Sequence, residues 1–188
     1  QALYSNTDGS LNVATGYQSL HKNETGSSNV ANGYQALHNN TDGSYNVAIG
    51  TSALYSNKTG SSNVANGYQA LYTNISGISN VAAGYQALYT NISGISNVAA
   101  GYQSLYNNTG NFNVANGYQA LYTNISGISN VATGYQALHD NSGNFNVANG
   151  TSALSNNTSG SSNVAIGPYS GDNNITGNFN TFLGTYTG

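Results

Sequence analysis

The stretch "NVANGYQALYTNISGISNVAAGYQALYTNISGISNVAAGYQSLY", Asn63 to Tyr106, contains the same seventeen residues twice: Gly67–Ala83 and Gly84–Ala100 are identical. Working outward from it, a first glycine falls at 16, 33, 50, 67, 84, 101, 117, 134, 150, 167 and 184. A second falls at 9, 26, 43, 60, 77, 94, 110, 127, 143, 160 and 177. The step is 17 residues, with 16 at two places, while the distance from second to first glycine is always seven. All length variation therefore sits in the other arc, after Asn108 and Asn141, as expected of a loop beside a fixed register.

Columns emerge when the repeats are aligned on these glycines. One Asn column includes Asn29, Asn46, Asn63, Asn80, Asn97, Asn113 and Asn130; a second includes Asn23, Asn40, Asn57, Asn74, Asn91, Asn108, Asn124, Asn141, Asn157 and Asn174. Val30, Val47, Val64, Val81 and Val98 follow the first Asn, and Leu37, Leu54, Leu71, Leu88 and Leu105 form a further column. The period is too short for the common helical repeats of about 33 to 47 residues. Two glycines and two asparagines per repeat also disfavour helix.

"NVAxG" and "YQALY" read as two short strands joined by turns, with Asn and Gly at left-handed corners. Stacked coils of this kind form an all-β parallel β-solenoid (a β-roll) of about eleven 16–17-residue coils. Its length is roughly 50 Å at one strand spacing per coil. Val and Leu are expected inside, and both Asn columns are expected as internal or turn-capping ladders, since an amide both donates and accepts. One such coil buries too little to stand alone, so neighbours must supply the stability. Residues 1–188 read as a single repeat domain and a fragment of a longer fibrous protein, with 167–188 as a variant repeat.

Charged residues are 4% of the chain, against about 25% in a typical soluble domain. Two lysines and no arginine argue against nucleic acid, which requires a basic face. No membrane segment is apparent, and the absence of cysteine removes disulfides and thiolate metal sites.

"SYNVAIG" at Ser44–Gly50 and "SNVAIG" at Ser162–Gly167 resemble the head repeats of trimeric autotransporter adhesins of the YadA type. The longer "GYQALHNNTDGSYNVAIG", Gly33–Gly50, resembles repeats of bacterial surface proteins and phage tail-fibre proteins. The resemblance covers essentially the whole chain. It implies a left-handed roll, a homotrimer, and an extracellular adhesive fibre on a bacterial surface or a virion. The residue after "NVA" is Ile49 or Ile166 but also Asn32, Asn66, Asn116 and Asn149, so that column faces outward or forms a polar seam.

No cofactor, metal site or catalytic constellation is implied, and the chain does not read as an enzyme. Asp8 and Asp42 share a column two coils apart, but a rod lacks a cleft to position substrate between them. His21, His38 and His139 occupy a Tyr column, where ring replaces ring. Asn-x-Ser/Thr triplets at Asn23, Asn57, Asn74, Asn91, Asn124 and Asn174 are candidate glycosylation sites, although a chain this rich in Asn, Ser and Thr makes them by composition. Further triplets begin at Asn39, Asn107, Asn156 and Asn157.

Tyr68, Tyr85 and Tyr102 are either glycan contacts or a ladder of rings packed on rings. A glycan-binding module along the Tyr or Asn face is thus the alternative to a structural rod. Ice binding is a weaker one, because no Thr-x-Thr column exists. The expected partners are further copies of the chain, in a homotrimer or a filament, and a cell-surface glycan or receptor. The small Ala columns, Ala82 and Ala99 among them, are expected on the outside, where neighbouring chains would meet.

Overall fold

A computed structural model describes residues 1–188. The chain is a parallel β-solenoid without helix, so no helix of the structure is long and apolar enough to cross a membrane. One eleven-stranded sheet runs its length in strict sequence order, starting with Val13–Thr15, Val30–Asn32 and Val47–Ile49 and ending with Val164–Ile166 and Thr181–Leu183. Pairing is in register: Val81 lies opposite Val98, and Ala82 opposite Ala99.

Leu20 through Leu154 are fully buried, and with them both alanine columns, such as Ala65, Ala82 and Ala99 on the strands and Ala53, Ala70 and Ala87 beside the leucines. The Val column is not inside: Val30, Val64, Val81 and Val98 are 36–38% exposed, and Val47 is half-buried. The reason is strand parity. Successive side chains alternate between faces, and the Asn before each Val from Val30 to Val164 is completely buried. In "NVAx" the Asn and Ala therefore point in, and Val and the next residue point out. That settles the variable column: Asn32, Asn66, Asn116 and Asn149 are exposed beside Ile49 and Ile166.

The same parity removes the alanines from any chain-to-chain contact. Ala82 and Ala99 have no exposed surface, so close approach through them is not available.

"YQALY" is not a strand. It is a run of turns in which Gln and Leu both take positive φ, as in Gln86 (51°) and Leu88 (52°). Coil-to-coil bonding continues through it nevertheless. The Leu71 N–H donates to Ala87 O at 3.0 Å, Gln86 N–H to Tyr68 O at 2.9 Å, and Thr73 N–H to Tyr89 O at 2.8 Å. These bonds and the buried leucine side chain offset the strain of the left-handed backbone. Asn, expected at left-handed corners, adopts none in either column. The second glycine needs no positive φ either. A Cβ on Gly43 would lie 2.3 Å from Gly60 O and 2.5 Å from Asn40 Oδ1, so bare backbone is what lets the next coil approach.

Both Asn columns are internal ladders. Asn63 Oδ1 accepts the Asn80 N–H at 3.0 Å, and Asn63 Nδ2 donates to Gly77 O at 2.8 Å. In the second column Asn57 Nδ2 donates to Asn40 Oδ1 at 2.7 Å and to Gly60 O at 2.9 Å. The two shortened coils keep these ladders and lose their residue in the loop: Asn108 reaches Gly110 O, two residues on, where Asn91 reaches Gly94 O, three residues on.

That loop normally gathers amides onto the following coil. The N–H groups of Thr41, Asp42 and Gly43 all donate to Lys58 O, at 3.0, 3.0 and 3.1 Å. Ahead of a shortened coil, those of Ile92, Ser93 and Gly94 donate to no protein acceptor. The variant repeat inverts its core sizes: Gly171 stands in the Leu column and Phe182 in the Ala column. A Cβ on Gly171 would lie 2.6 Å from the Phe182 ring, so the phenyl fills the space the leucine leaves.

Candidate functional site

The outward rows carry whatever the rod presents to other molecules. Tyr68, Tyr85, Tyr102, Tyr118 and Tyr135 stack face to face, with centroids 5.0–5.1 Å apart. A second column runs unbroken from Tyr4 through His21, His38, Tyr55, Tyr72, Tyr89, Tyr106 and Tyr122 to His139, with neighbours 5.0–5.2 Å apart. The rings are nearly parallel to one another and face along the rod. Each ring thus covers its neighbour's faces and shows water only its edge and hydroxyl. Tyr85 and Tyr102 are sandwiched on both sides and have no face left for a sugar; Tyr68 is stacked on one side only.

The candidate glycosylation sites are overturned by burial. Asn23, Asn57, Asn74, Asn91 and Asn124 have no exposed surface. The nitrogen a glycan would occupy is committed in each. Asn74 Nδ2 donates to Asn57 Oδ1 and Gly77 O, and Asn124 Nδ2 to Asn108 Oδ1 and Gly127 O. Asn174 is half-buried but bonded in the same way, to Asn157 Oδ1 at 2.9 Å and Gly177 O at 3.2 Å. These six triplets exist because the turn needs Asn there, with small polar residues beside it; Asn39 and Asn107, outside that column, are half-buried, and Asn156 is exposed.

The histidines are members of the ring column. His139 Nδ1 lies 3.1 Å from an oxygen of the adjacent Asp140. Nowhere do three or more His, Asp or Glu side chains converge. Asp42 accepts a hydrogen bond from Thr25 Oγ1 at 2.8 Å on the exterior. A depression of about 280 Å³ is lined by Asp140, Asn156, Thr158, Asp172, Asn173 and Ile175. It holds two carboxylates but no third acidic or imidazole ligand.

Burial lowers the His38 pKa below its usual 6.5, reinforced by His21 and Lys22 and opposed by a hydrogen bond to Asn39. A depressed basic group stabilises the fold above its unfolded pKa, and that contribution disappears as pH falls. The melting temperature is therefore expected to drop on acidification below about 6.5. His38→Tyr, which matches the ring type of most of the column, is expected to flatten the dependence. Tyr72 and Tyr106 are raised above 10.0, again chiefly by burial, so their contribution is lost as pH rises through those values. Thermal melts across both windows measure the two effects, and a wild-type profile flat between neutral and mildly acidic pH would contradict the first.

The Tyr and Gln columns break together where "GTSAL" replaces "GYQAL", at Gly50–Leu54 and Gly150–Leu154. Either column read singly makes this a minor substitution; the two together mark a change in the outer surface. Comparison with protein-family models, curated proteins and solved structures finds no match to this chain.

Proposed function

We propose that the chain is the rod of an extracellular fibre, a shaft or head segment on a bacterial surface or a virion, whose work is to hold distance and present a surface. The observation that supports this reading is the unbroken eleven-stranded sheet in sequence order, with every coil bonded to the next. Such a chain lengthens by one strand spacing, about 4.8 Å, for each coil added. The resemblance to adhesin heads and tail-fibre repeats supports the same reading. Near-zero charge leaves little repulsion against parallel association into a trimer or filament. With the alanines buried, the strand rows left for side-by-side packing are Val and the residue two positions on, beside the outward Tyr columns.

Inserting a second copy of Gly67–Ala83 is expected to lengthen the particle by one coil in small-angle scattering, with the melting temperature unchanged or raised. A particle that grows in girth or loses cooperativity would contradict the rod. Antibody labelling of the intact cell or virion that carries the chain tests its location, and label confined to the interior would overturn the fibre. Light scattering gives the number of chains.

A further inference from the structure

Each shortened coil leaves a ledge on the coil before it. The loop Asn-Ile-Ser-Gly stands three times in the chain, at 74–77, 91–94 and 124–127. A full-length coil follows the first copy, and the N–H groups of Ile75 and Ser76 both donate to Ile92 O, at 3.0 Å each. Lys58 and Thr59 do the same onto Ile75 O, at 3.0 and 3.1 Å, and Thr158 and Ser159 onto Ile175 O, at 2.9 and 3.2 Å. Two successive amides converging on one oxygen is therefore the arrangement this loop holds along the rod.

In the other two copies that oxygen does not arrive. Residues 107–110, Asn-Asn-Thr-Gly, are one short of the loop Asn-Asn-Thr-Ser-Gly at 156–160. Thr109 turns instead to the coil after it, its N–H to Asn124 O at 3.4 Å and its hydroxyl to Ile125 O. The N–H groups of Ile92 and Ser93 are left without a protein acceptor, as are those of Ile125 and Ser126 ahead of the second shortened coil. These loops also lie open. Ile75, followed by a full-length coil, is half-buried, whereas Ile92 is 45% and Ile125 59% exposed.

We propose that the ledge at Ile92–Ser93 binds the carboxylate of a small aliphatic acid. One carboxylate oxygen stands where the next coil's carbonyl would be, about 3 Å from both amides. Such charge-assisted bonds are shorter and stronger than the neutral ones that the full-length coils make. Successive backbone amides form anion sites of this kind without a cation in contact. The surrounding charge agrees. No Asp or Glu occurs between Asp42 and Asp140, and the nearest charged residue in the Ile92 column is Lys58, two coils or about 9–10 Å back. The exposed Ile92 side chain gives the acid's hydrocarbon a surface to lie on, which an inorganic anion does not use. The second ledge is the weaker site. Asp140 lies on the coil that follows it, paired with Thr123, and its carboxylate repels an anion there.

The ledge does not depend on the rod being part of a fibre, and its test is separate. Hexanoate, acetate, chloride and phosphate are titrated into the protein at constant ionic strength while the backbone amide signals are followed by NMR. Hexanoate is expected to give saturable downfield shifts of the Ile92 and Ser93 amide protons in the millimolar range, with weaker binding of acetate. Ile75 and Ser76, whose acceptor is in place, are expected not to move, and Ile125 and Ser126 to move less. Inserting a serine between Thr109 and Gly110 rebuilds the loop of residues 156–160, whose Thr158 O accepts the Ser142 N–H of the coil before at 2.8 Å. It is expected to keep or raise the melting temperature while weakening hexanoate binding roughly tenfold or more. Ile92→Ser is expected to bring hexanoate down to the level of acetate with melting unchanged. The proposal is overturned if hexanoate shifts Ile92 and Ser93 no more than Ile75 and Ser76, if the lengthened variant binds equally well, or if chloride or phosphate binds the ledge as tightly as hexanoate.

Discussion

Ala82→Lys is expected to unfold the middle of the rod, while Val81→Asp, one residue away, leaves it nearly intact. Ala82 has no exposed surface and pairs in register with Ala65 and Ala99, which are equally enclosed. A lysine there overpacks a space sized for a methyl group, at about 1–3 kcal/mol, and brings in an ammonium whose unpaired burial costs several kcal/mol more. The expected loss is on the order of 5 kcal/mol or greater, shared among adjacent coils because each face of a coil is also its neighbour's. Val81 is 38% exposed, and its exchange for Asp gives up partial burial and strand preference, on the order of 1 kcal/mol. Denaturant melts and hydrogen exchange across Asn63–Asn113 separate the two outcomes. Equal losses would contradict the parity of the strand. A lysine variant that stays folded but falls from an oligomer to a monomer would place the alanines at a contact between chains.

Asn97→Ala is expected to cost roughly 3–5 kcal/mol, by summing orphaned buried groups at about 1–3 kcal/mol each. Asn97 Oδ1 accepts the Asn113 N–H at 3.0 Å and Asn113 Nδ2 at 3.3 Å. Its Nδ2 donates to Gly110 O at 2.9 Å and to Asn80 Oδ1 at 3.2 Å. Alanine abandons these four bonds, and a longer fifth from Nδ2 to Asn91 Oδ1 at 3.5 Å, in a place without exposed surface. Ser96→Ala, at a half-buried neighbour whose hydroxyl bonds to nothing in the protein, is expected to stay within about 0.5 kcal/mol. Matching losses at the two positions would mean that the Asn column is no ladder.

The periodicity carries the solenoid, the coil length, the Leu interior, both Asn ladders and the position of the two deletions. What it hides is which way a short strand faces. Val81 is more apolar than Ala82, and hydrophobicity alone puts it inside; the burial of Asn80 reverses that order, because adjacent strand residues cannot share a face. The expectation of chain-to-chain contact through alanine fails for the same reason. The turn path of "YQALY" is equally hidden, since neither Gln86 nor Leu88 is a residue that favours the left-handed region it occupies. The Asn-x-Ser/Thr triplets state a composition, whereas glycosylation depends on where Asn74 or Asn91 points.

Identical coils bring a problem of address. A folding chain that docks Gly84–Ala100 where Gly67–Ala83 belongs meets the same Asn, Leu and Gly rungs and forfeits only the contacts of the coil it skips. The ladder cannot detect the error, because each rung accepts any copy of itself. Coils that differ can. A shortened coil brings no carbonyl to the amides of Ile92, Ser93 and Gly94, and the coil holding Gly171 has room for a phenyl where its neighbours hold a leucine. Chain slippage past either coil misplaces a loop or a ring. The irregular coils are the marks by which an otherwise uniform ruler counts its own length.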